Sequence, residues 1–174
     1  MEDLLETAPT SKDIATELVR RVQRGDSVAM HELLEFLSPY VGRWCGPIAL
    51  QDGPDAVQET MIAVFRRIDQ LKEPAAVFGW VRAIAVREAV KIATRASRPG
   101  TAELTEVPSR HEPELVCDVQ DVLARLSPEH RAVLVLRDLE DLDERSVAAT
   151  LHISVGTVKS RLHRARRKFR HAWQ

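Results

Sequence analysis

The chain has 174 residues, a size that fits one or two small domains, and its 44% apolar content is enough to form buried cores. Lys and Arg number 25 against 26 Asp and Glu, so a net charge of −1 excludes a protein that binds nucleic acid through overall positive charge. No apolar run approaches the length of a membrane span, and no basic-then-apolar signal pattern opens the chain. A soluble, cytoplasmic protein without membrane insertion is the expectation.

The first 96 residues predict a short disordered segment followed by a helical domain. Residues 1–10 are acidic, contain a Pro and predict disorder, and residues 11–96 form the predicted domain. Four helices are expected, each supported by a cap residue, a helix-ending Gly or an apolar stripe. They run from a Ser11 cap to about Arg24, from an Asp26 cap to about Trp44 with a kink or break at Pro39, from Pro54 to about Leu71, and from beyond Pro74 to about Arg95. Between the second and third helices, Cys45–Gly53 is expected to be a connection.

The third predicted helix has two contrasting faces. Its apolar face, which predicts packing on a core, carries Val57, Met61, Val64, Phe65 and Ile68. The other face shows Asp55, Gln58, Glu59, Arg66 and Asp69. Two carboxylates one turn apart on an exposed helix are usually solvated charge, so no acid–base pair is inferred from them.

The fourth predicted helix places an aromatic residue ahead of a basic ridge. Its residues Trp80, Ile84, Arg87, Lys91 and Arg95 share one quadrant of the helical wheel. Aromatic rings that stack on bases, beside cations that contact phosphates, suit a surface that tracks a nucleic-acid backbone. Equally, Trp80 and Ile84 could belong to the core while the basic residues form a solvated end.

Residues 97–113 contain three prolines and a glycine but few large apolar residues, which predicts a flexible linker. Beyond it, residues 114–174 predict a second helical domain whose first helices span about Glu114–Leu126 and Pro128–Leu139, the latter capped by Ser127. Charge is segregated in this part: nine acids against three Arg lie within 114–144, and eight Lys or Arg without an acid follow from Arg145. Because no stretch alternates like a strand, the expected fold is all-α, with two helical domains.

The stretch Asp143–His171 predicts a short helix, a tight turn at residues 152–154 and a long second helix, which is a helix-turn-helix arrangement. One side of the second helix gathers Val155, Val158, Leu162, Ala165, Phe169 and Trp173 as a core-facing stripe. Opposite lie Thr157, Ser160, Arg164 and Arg167, flanked by Lys159, Arg161 and His163. A merely solvated basic helix is the alternative; it is less favoured because Thr and Ser occur where base edges would be met and acids are absent.

No catalytic set, metal site or cofactor motif emerges. The six His are scattered, and neither a phosphate-binding glycine loop nor a dinucleotide fingerprint occurs. Cys45 and Cys117 are far apart in sequence and are expected to be reduced, partly buried thiols. The chain is therefore not expected to be an enzyme.

Three motifs resemble the signatures of bacterial RNA polymerase sigma factors of the sigma-70 family, in the compact extracytoplasmic-function (ECF) subfamily. They are DAVQETM at 55–61, FGWVRAIA at 78–85 and GTVKSRLHRAR at 156–166. The resemblance covers most of the chain from Gly25 to Arg170 apart from the linker. LuxR-like response regulators share the look of the C-terminal motif without the upstream pair.

The resemblance implies an N-terminal region 2 that docks on the clamp of the polymerase largest subunit and captures the melted −10 element. It also implies a C-terminal region 4 that reads the −35 duplex and rests on the polymerase flap, and an anti-sigma factor as a further partner. The polymerase-binding residues would be Asp55, Gln58 and Glu59, and the −10 residues Trp80, Arg87, Lys91 and Arg95. The −35 residues would be Ser154, Thr157, Lys159, Ser160, Arg161, His163, Arg164 and Arg167.

The sequence departs from the family pattern at three places. Val86-Arg87 and Lys91 stand where the family often has Arg-Asn and Asp, which makes the ridge more basic. His152 occupies a turn position that is usually Gly and is therefore expected at positive φ, and Phe65 replaces a common Trp. Two other functions remain open at this point: a stand-alone helix-turn-helix transcriptional regulator, and an adaptor that binds polymerase without reading DNA.

Overall fold

The computed structural model describes residues 9–97 and 114–173, and the side chains of the second segment from residue 119 onward. Across these ranges the regular structure is helical, without a strand, so the all-α prediction is confirmed. The helices are α1 (Ser11–Gln23), α2 (Ser27–Ala49), α3 (Gly53–Arg67), α4 (Val77–Ala96), α5 (Glu114–Ala124), α6 (Pro128–Leu134), α7 (Glu144–Leu151) and α8 (Val155–Trp173). We call α1–α4 the N-terminal unit and α5–α8 the C-terminal unit. Most of the predicted disordered start (residues 1–8) and of the predicted linker (98–113) lies outside the described residues.

The central element of the N-terminal unit is α2, which packs against α1, α3 and α4. Its inward face contributes the fully buried side chains of Leu33, Leu37, Val41 and Ile48. The predicted break at Pro39 is wrong, because α2 runs through Pro39 and Pro47 to Ala49, and a kink there stays a prediction. The predicted connection at Cys45–Gly53 is shorter than expected, since only the 3-10 turn Leu50–Asp52 lies between α2 and α3. Pro39 is exposed, so its ring lies on the outer side of the helix, while Leu37 and Val41 on the inward face stay buried.

Caps define where the first two helices begin. Thr10, rather than the predicted Ser11, caps α1: its Oγ1 accepts from the N–H of Asp13 at 3.2 Å, and the Asp13 carboxylate accepts from the N–H of Thr10 at 3.0 Å. This reciprocal capping box satisfies two otherwise unpaired donors, which explains the shift by one residue. The predicted Asp26 cap of α2 is confirmed, with Oδ1 accepting from the N–H groups of Val28 and Ala29.

The buried face of α3 agrees with the predicted one except at Phe65, since Val64 and Ile68 are buried and Val57 and Met61 pack half-buried against the core. Its buried residues are Gly53, Ala56, Thr60 and Val64, followed by Ile68 just beyond its end. Phe65, which was expected in the core, is 59% exposed. Because α2 and α4 both pack against the buried side of α3, the phenyl ring of Phe65 is left on the outer side.

Cys45 is a free thiol inside the N-terminal unit. Its Sγ lies 3.7 Å from the carbonyl oxygen of Ala85, and burial raises the pKa of the thiol to about 11. Such a group is un-ionised and unreactive at neutral pH. In the described part of the chain, no helix combines the length and the hydropathy needed to cross a membrane.

The C-terminal unit is built from shorter helices around α6 and α8. Ser127 caps α6 as predicted, accepting from the N–H of His130 at 3.4 Å. The predicted helix Pro128–Leu139 is α-helical only to Leu134 and then makes one π-helical turn over Val135–Leu139. Besides α8, α6 also contacts α2 and α4, so the two units pack directly on each other.

Candidate nucleic-acid interface

The helix-turn-helix of the C-terminal unit is defined by two helix caps and one left-handed residue. Asp143 caps α7 by accepting from the N–H of Ser146 at 2.7 Å, which also lowers the pKa of the Asp143 carboxyl. His152 ends α7 in the left-handed conformation (φ 54°, ψ 45°), which confirms the positive φ expected there. Ser154 then accepts from the N–H of Thr157 at 3.0 Å and starts α8. These contacts fix the angle at which α8 leaves the turn.

The inner side of α8 anchors it to the unit. Val158, Leu162 and Ala165 are buried as predicted. Trp173, predicted on the same stripe, is 49% exposed and stacks on Phe169 with ring centroids 6.0 Å apart. The expectation that Trp173 packs into the core is therefore wrong, and among the described residues it lines a shallow pocket with Val119 of α5 and Phe169.

The outer side of α8 carries the predicted −35 residues on one cationic surface. Among these residues, the exposed members are Ser154, Lys159, Ser160, His163, Arg164 and Arg167, and the half-buried members are Thr157 and Arg161. Lys159 lies 3.6 Å from the Glu144 carboxylate. Within the described ranges no carboxylate pairs with Arg164 or Arg167, so both guanidinium groups are available to phosphates or base edges.

The hydroxyl groups at the start of α8 are already engaged. Ser154 Oγ and Thr157 Oγ1 are 2.8 Å apart, and the Ser160 hydroxyl donates to the Thr157 carbonyl oxygen at 3.0 Å. Each hydroxyl keeps spare acceptor capacity, because an O–H group has two lone pairs and one proton. The arrangement holds these short side chains in fixed orientations at the exposed end of the helix.

The predicted −10 residues all lie on α4 but differ in exposure. Arg87, Lys91 and Arg95 are exposed, whereas Trp80 is half-buried against the hydrophobic core. Ile84 is buried, so for that residue the core interpretation holds. Lys91 pairs with Glu88 at 2.8 Å, and Arg87 contacts the His152 imidazole across the two units.

The predicted polymerase-binding residues form an exposed strip on α3. Asp55, Gln58 and Glu59 are all exposed, and in the described part of the chain none has a side-chain hydrogen bond or ion pair. Phe65 lies two helical turns beyond Gln58 on the same side of α3. The polar strip therefore ends at an exposed aromatic side chain. The sequence analysis missed it, although the spacing of seven residues from Gln58 was a usable signal.

Comparison with known proteins identifies the chain. Residues 118–169 match the family described as Sigma-70, region 4. An ECF RNA polymerase sigma-E factor from Haemophilus influenzae is 30% identical over 169 residues, which cover 86% of this chain and 89% of that relative. This chain belongs to the ECF sigma factors.

Other sigma-factor relatives agree in sequence and in fold. The ECF sigma factor SigE from Mycolicibacterium smegmatis is 36% identical over 131 residues, covering 68% of this chain but only 51% of that relative's own length. Among solved structures, CnrH in complex with the cytosolic domain of CnrY has the same fold, with a TM-score of 0.65, 21% identity, and 91% and 96% of the two chains covered. The sigma factor RpoE of Bartonella quintana, in complex with the anti-sigma factor NepR, gives 0.65 at 19% identity, covering 82% and 94%.

This sigma factor also has a groove that the sequence analysis did not anticipate. It encloses about 890 Å³ beside α8, and its floor is apolar, with Leu134, Leu162 and Phe169. Leu139, 43% exposed, stands at its edge. Its rim carries Lys159, His163, Arg166 and Arg170 together with Glu144 and Asp138, which pair with Lys159 and Arg166. The π-helical turn that shapes this edge has no sequence signal that we could have used.

Proposed function

We propose that this ECF sigma factor binds core RNA polymerase, directs it to specific promoters by recognising −35 and −10 elements, and promotes DNA melting. The observation that carries the proposal is the cationic outer face of α8, placed at the exposed side of a helix-turn-helix. A helix in this arrangement enters the major groove with its N-terminal residues towards base edges. The polymerase performs the chemistry, so the sigma factor itself acts by binding.

The three surfaces divide the work by their chemistry. On α8, Arg164 and Arg167 can pair with phosphates or guanine edges of the −35 duplex. On α4, the basic ridge from Arg87 to Arg95 suits the backbone of a single strand, while Trp80 offers part of a ring to an unstacked base. On α3, the strip of Asp55, Gln58 and Glu59 with Phe65 offers polar contacts and one aromatic anchor to the polymerase clamp.

We further propose that an anti-sigma factor binds the apolar groove beside α8. Relatives of this fold have been solved in such complexes, including RpoE with NepR. The apolar floor fits the apolar face of an amphipathic helix, and the rim residues His163 and Arg170 can meet acidic residues on it. Since polymerase and chromosome are in the bacterial cytoplasm, the proposal places the protein there.

Run-off transcription tests the proposal. The full chain and core polymerase are incubated with a library of upstream fragments from the source genome. We expect transcripts that start downstream of a shared two-part motif and that disappear when Gln58 and Glu59 are both changed to Ala. A Glu35→Arg variant, altered on an exposed part of α2 away from the three surfaces, is the control and should transcribe normally.

Two outcomes separate the alternatives. Absence of transcripts, together with specific duplex binding by the protein alone, would instead establish a stand-alone regulator. Transcripts that survive reversal of charge at Arg161 and Arg164 would indicate an adaptor that does not read DNA. Adding the organism's anti-sigma factor should abolish the transcripts, and a Leu139→Asp variant at the groove should escape this inhibition.

A further inference from the structure

A small cavity lies where α4, α6, α7 and α8 meet. Its volume is about 180 Å³, which is about six times the volume of a water molecule in the liquid. Its floor is apolar and consists of Val90, Ala132 and Leu151. Arg87 and Lys91 of α4 stand at its edge with exposed side chains, so the cavity is open to solvent on that side.

The edge of this cavity carries more positive than negative charge. The charged residues that line it are three cations, Arg87, Lys91 and Arg161, and one carboxylate, Glu129. Within the described ranges no carboxylate forms an ion pair with Arg87 or Arg161, whereas Lys91 pairs with Glu88 on its own helix at 2.8 Å. Three cations against Glu129 leave two positive charges, and one remains if Glu88 is counted as well. Like charges held close together repel one another unless an anion lies between them.

His130, which follows Glu129 on α6, lies in the same positive environment. Burial lowers the pKa of its imidazole, and the cations Lys168, Arg161 and Arg164 lower this pKa further in spite of Glu129. The imidazole is therefore neutral at neutral pH and adds no charge of its own. Cations of α8 thus dominate the electrostatic potential at the start of α6.

The two arginines at the cavity keep hydrogen-bond donors free for a ligand. Arg87 contacts the imidazole of His152 through one nitrogen, and its other N–H groups remain available. Arg161 is half-buried and, in the part of the chain that the structure describes, has neither a side-chain hydrogen bond nor an ion pair. Guanidinium groups bind phosphate through paired N–H···O bonds, and a lysine ammonium adds a point charge.

Buried contacts between the two units hold the walls of the cavity in place. Arg131 of α6 is only 5% exposed, and its Nε donates to the carbonyl oxygen of Ile48 of α2 at 2.7 Å. The Glu140 carboxylate lies 3.3 Å from a guanidinium nitrogen of Arg43 on α2 and 3.4 Å from one of Arg82 on α4. A site whose walls are fixed in advance loses less conformational freedom when a ligand binds.

We propose that this cavity is a binding site for a phosphate group, which is held by Arg87, Lys91 and Arg161. A phosphate group carries a charge of about −1.5 to −2 at pH 7, which matches the excess positive charge of the lining. Its phosphorus and oxygens fit a volume of about six water molecules. The phosphate is either free inorganic phosphate or that of a small monoester whose remainder lies in the solvent.

The site connects phosphate with the predicted promoter contacts. Arg87 and Lys91 are predicted −10 residues, and Arg161 is a predicted −35 residue. A phosphate bound between them takes up donors that these residues otherwise offer to DNA. This consequence rests on the proposed function, whereas the existence of the site does not.

An NMR titration of the free, full-length chain with inorganic phosphate tests the site. Ionic strength is held at about 0.15 M with chloride, so that screening stays constant. We expect a dissociation constant of about 1 mM or less, with amide shifts concentrated at residues 87–91, 129–132 and 151–161. Shifts around Arg164 and Arg167 without shifts in α4 and α6 would mean general attraction to a basic surface and would overturn the proposal.

Charge-matched variants separate the cavity from general attraction. Arg161→Gln removes donors from the lining and should weaken phosphate binding at least about tenfold. Arg145→Gln makes the same charge change at the exposed start of α7 and should bind within about twofold of the wild type. Equal losses in the two variants would contradict the site. If Arg161→Gln loses its helical circular dichroism, Lys91→Gln must show the tenfold loss instead.

Removing the acid from the lining should have the opposite effect. Glu129→Gln should tighten phosphate binding about threefold, because the carboxylate no longer repels the anion. Glu35→Gln makes the same charge change on an exposed part of α2 and should leave the affinity unchanged. A Glu129→Gln chain that binds no more tightly than Glu35→Gln would contradict a phosphate in this cavity.

Phenyl phosphate, a simple monoester, distinguishes the two sources of phosphate. Binding at least about tenfold tighter than that of inorganic phosphate assigns the site to a monoester, and equal or weaker binding assigns it to free phosphate. If neither binds while a single-stranded oligonucleotide shifts the same residues, the cavity belongs to the DNA-binding surface and the proposal falls. Should run-off transcription fail while phosphate binds as expected, the proposed function falls and the phosphate site stands.

Discussion

The two units of this sigma factor are held together by different means. In the N-terminal unit, long helices bury a continuous set of side chains, and α2 keeps its course through two prolines because that burial outweighs the lost hydrogen bonds. In the C-terminal unit, α6 and α7 have seven and eight residues, lengths at which an isolated helix is marginal. Local caps at Ser127, Asp143 and Ser154 therefore matter more there.

This difference suits the surfaces that each unit presents. The strip on α3 needs a rigid platform, which an apolar core provides. Recognition by α8 depends on the angle at which the helix leaves its turn, which caps and one left-handed residue determine. Substitutions in the two units should consequently differ in size and in mechanism.

The largest effect is expected from the core of the N-terminal unit. Leu33 is fully buried on α2, so Leu33→Ala should leave an enclosed cavity and lower the free energy of unfolding by about 3 to 4 kcal/mol. The matched change Leu162→Ala on α8 opens onto the groove, where solvent can fill the space, and should cost about 2 kcal/mol. Urea unfolding followed by circular dichroism measures both. Equal losses would contradict the contrast between the two units.

A cap in the C-terminal unit should have a smaller effect. Ser127→Ala removes the acceptor for the N–H of His130 and should lower the free energy of unfolding by about 1 kcal/mol. Ser38→Ala makes the same substitution in the exposed middle of α2. Because Ala is the better helix former, this change should raise the free energy of unfolding by roughly a few tenths of a kcal/mol. In the same urea-unfolding assay, the free energy of unfolding should then fall for Ser127→Ala and rise for Ser38→Ala. A loss at Ser38 as large as that at Ser127 would show that capping is not the cause.

The same contrast between the two units explains which structural features could be predicted from the sequence. The caps and turn of the C-terminal unit could be predicted, because they act within a few positions: the Ser127 cap and the left-handed His152 were both expected, whereas the π-helical turn at Val135–Leu139 and the exposure of Trp173 were not. Predictions failed where distant packing decides, as at Pro39 and at Phe65, whose exposure depends on how α2 and α4 cover α3.

The candidate sites show the same limit. Which residues of α4 and α8 carry charge is visible in the sequence, but the approach of Arg87 to His152 depends on packing between units. No local pattern indicates that Glu140 lies between Arg43 and Arg82, which are far from it along the chain.

The smallest effect is expected at the turn of the helix-turn-helix, and it should be a gain. His152 holds a left-handed conformation that a residue with a Cβ adopts at a cost, so His152→Gly should raise the free energy of unfolding by less than about 1 kcal/mol. His152→Ala loses the same contact with Arg87 but keeps a Cβ, so Gly should exceed Ala by about 1 kcal/mol. Urea unfolding of both variants isolates the backbone contribution from the side-chain contact. If His152→Ala and His152→Gly had equal free energies of unfolding, the left-handed turn would not be strained. The angle of α8 would then have to be set by packing, as in the N-terminal unit, rather than by the turn.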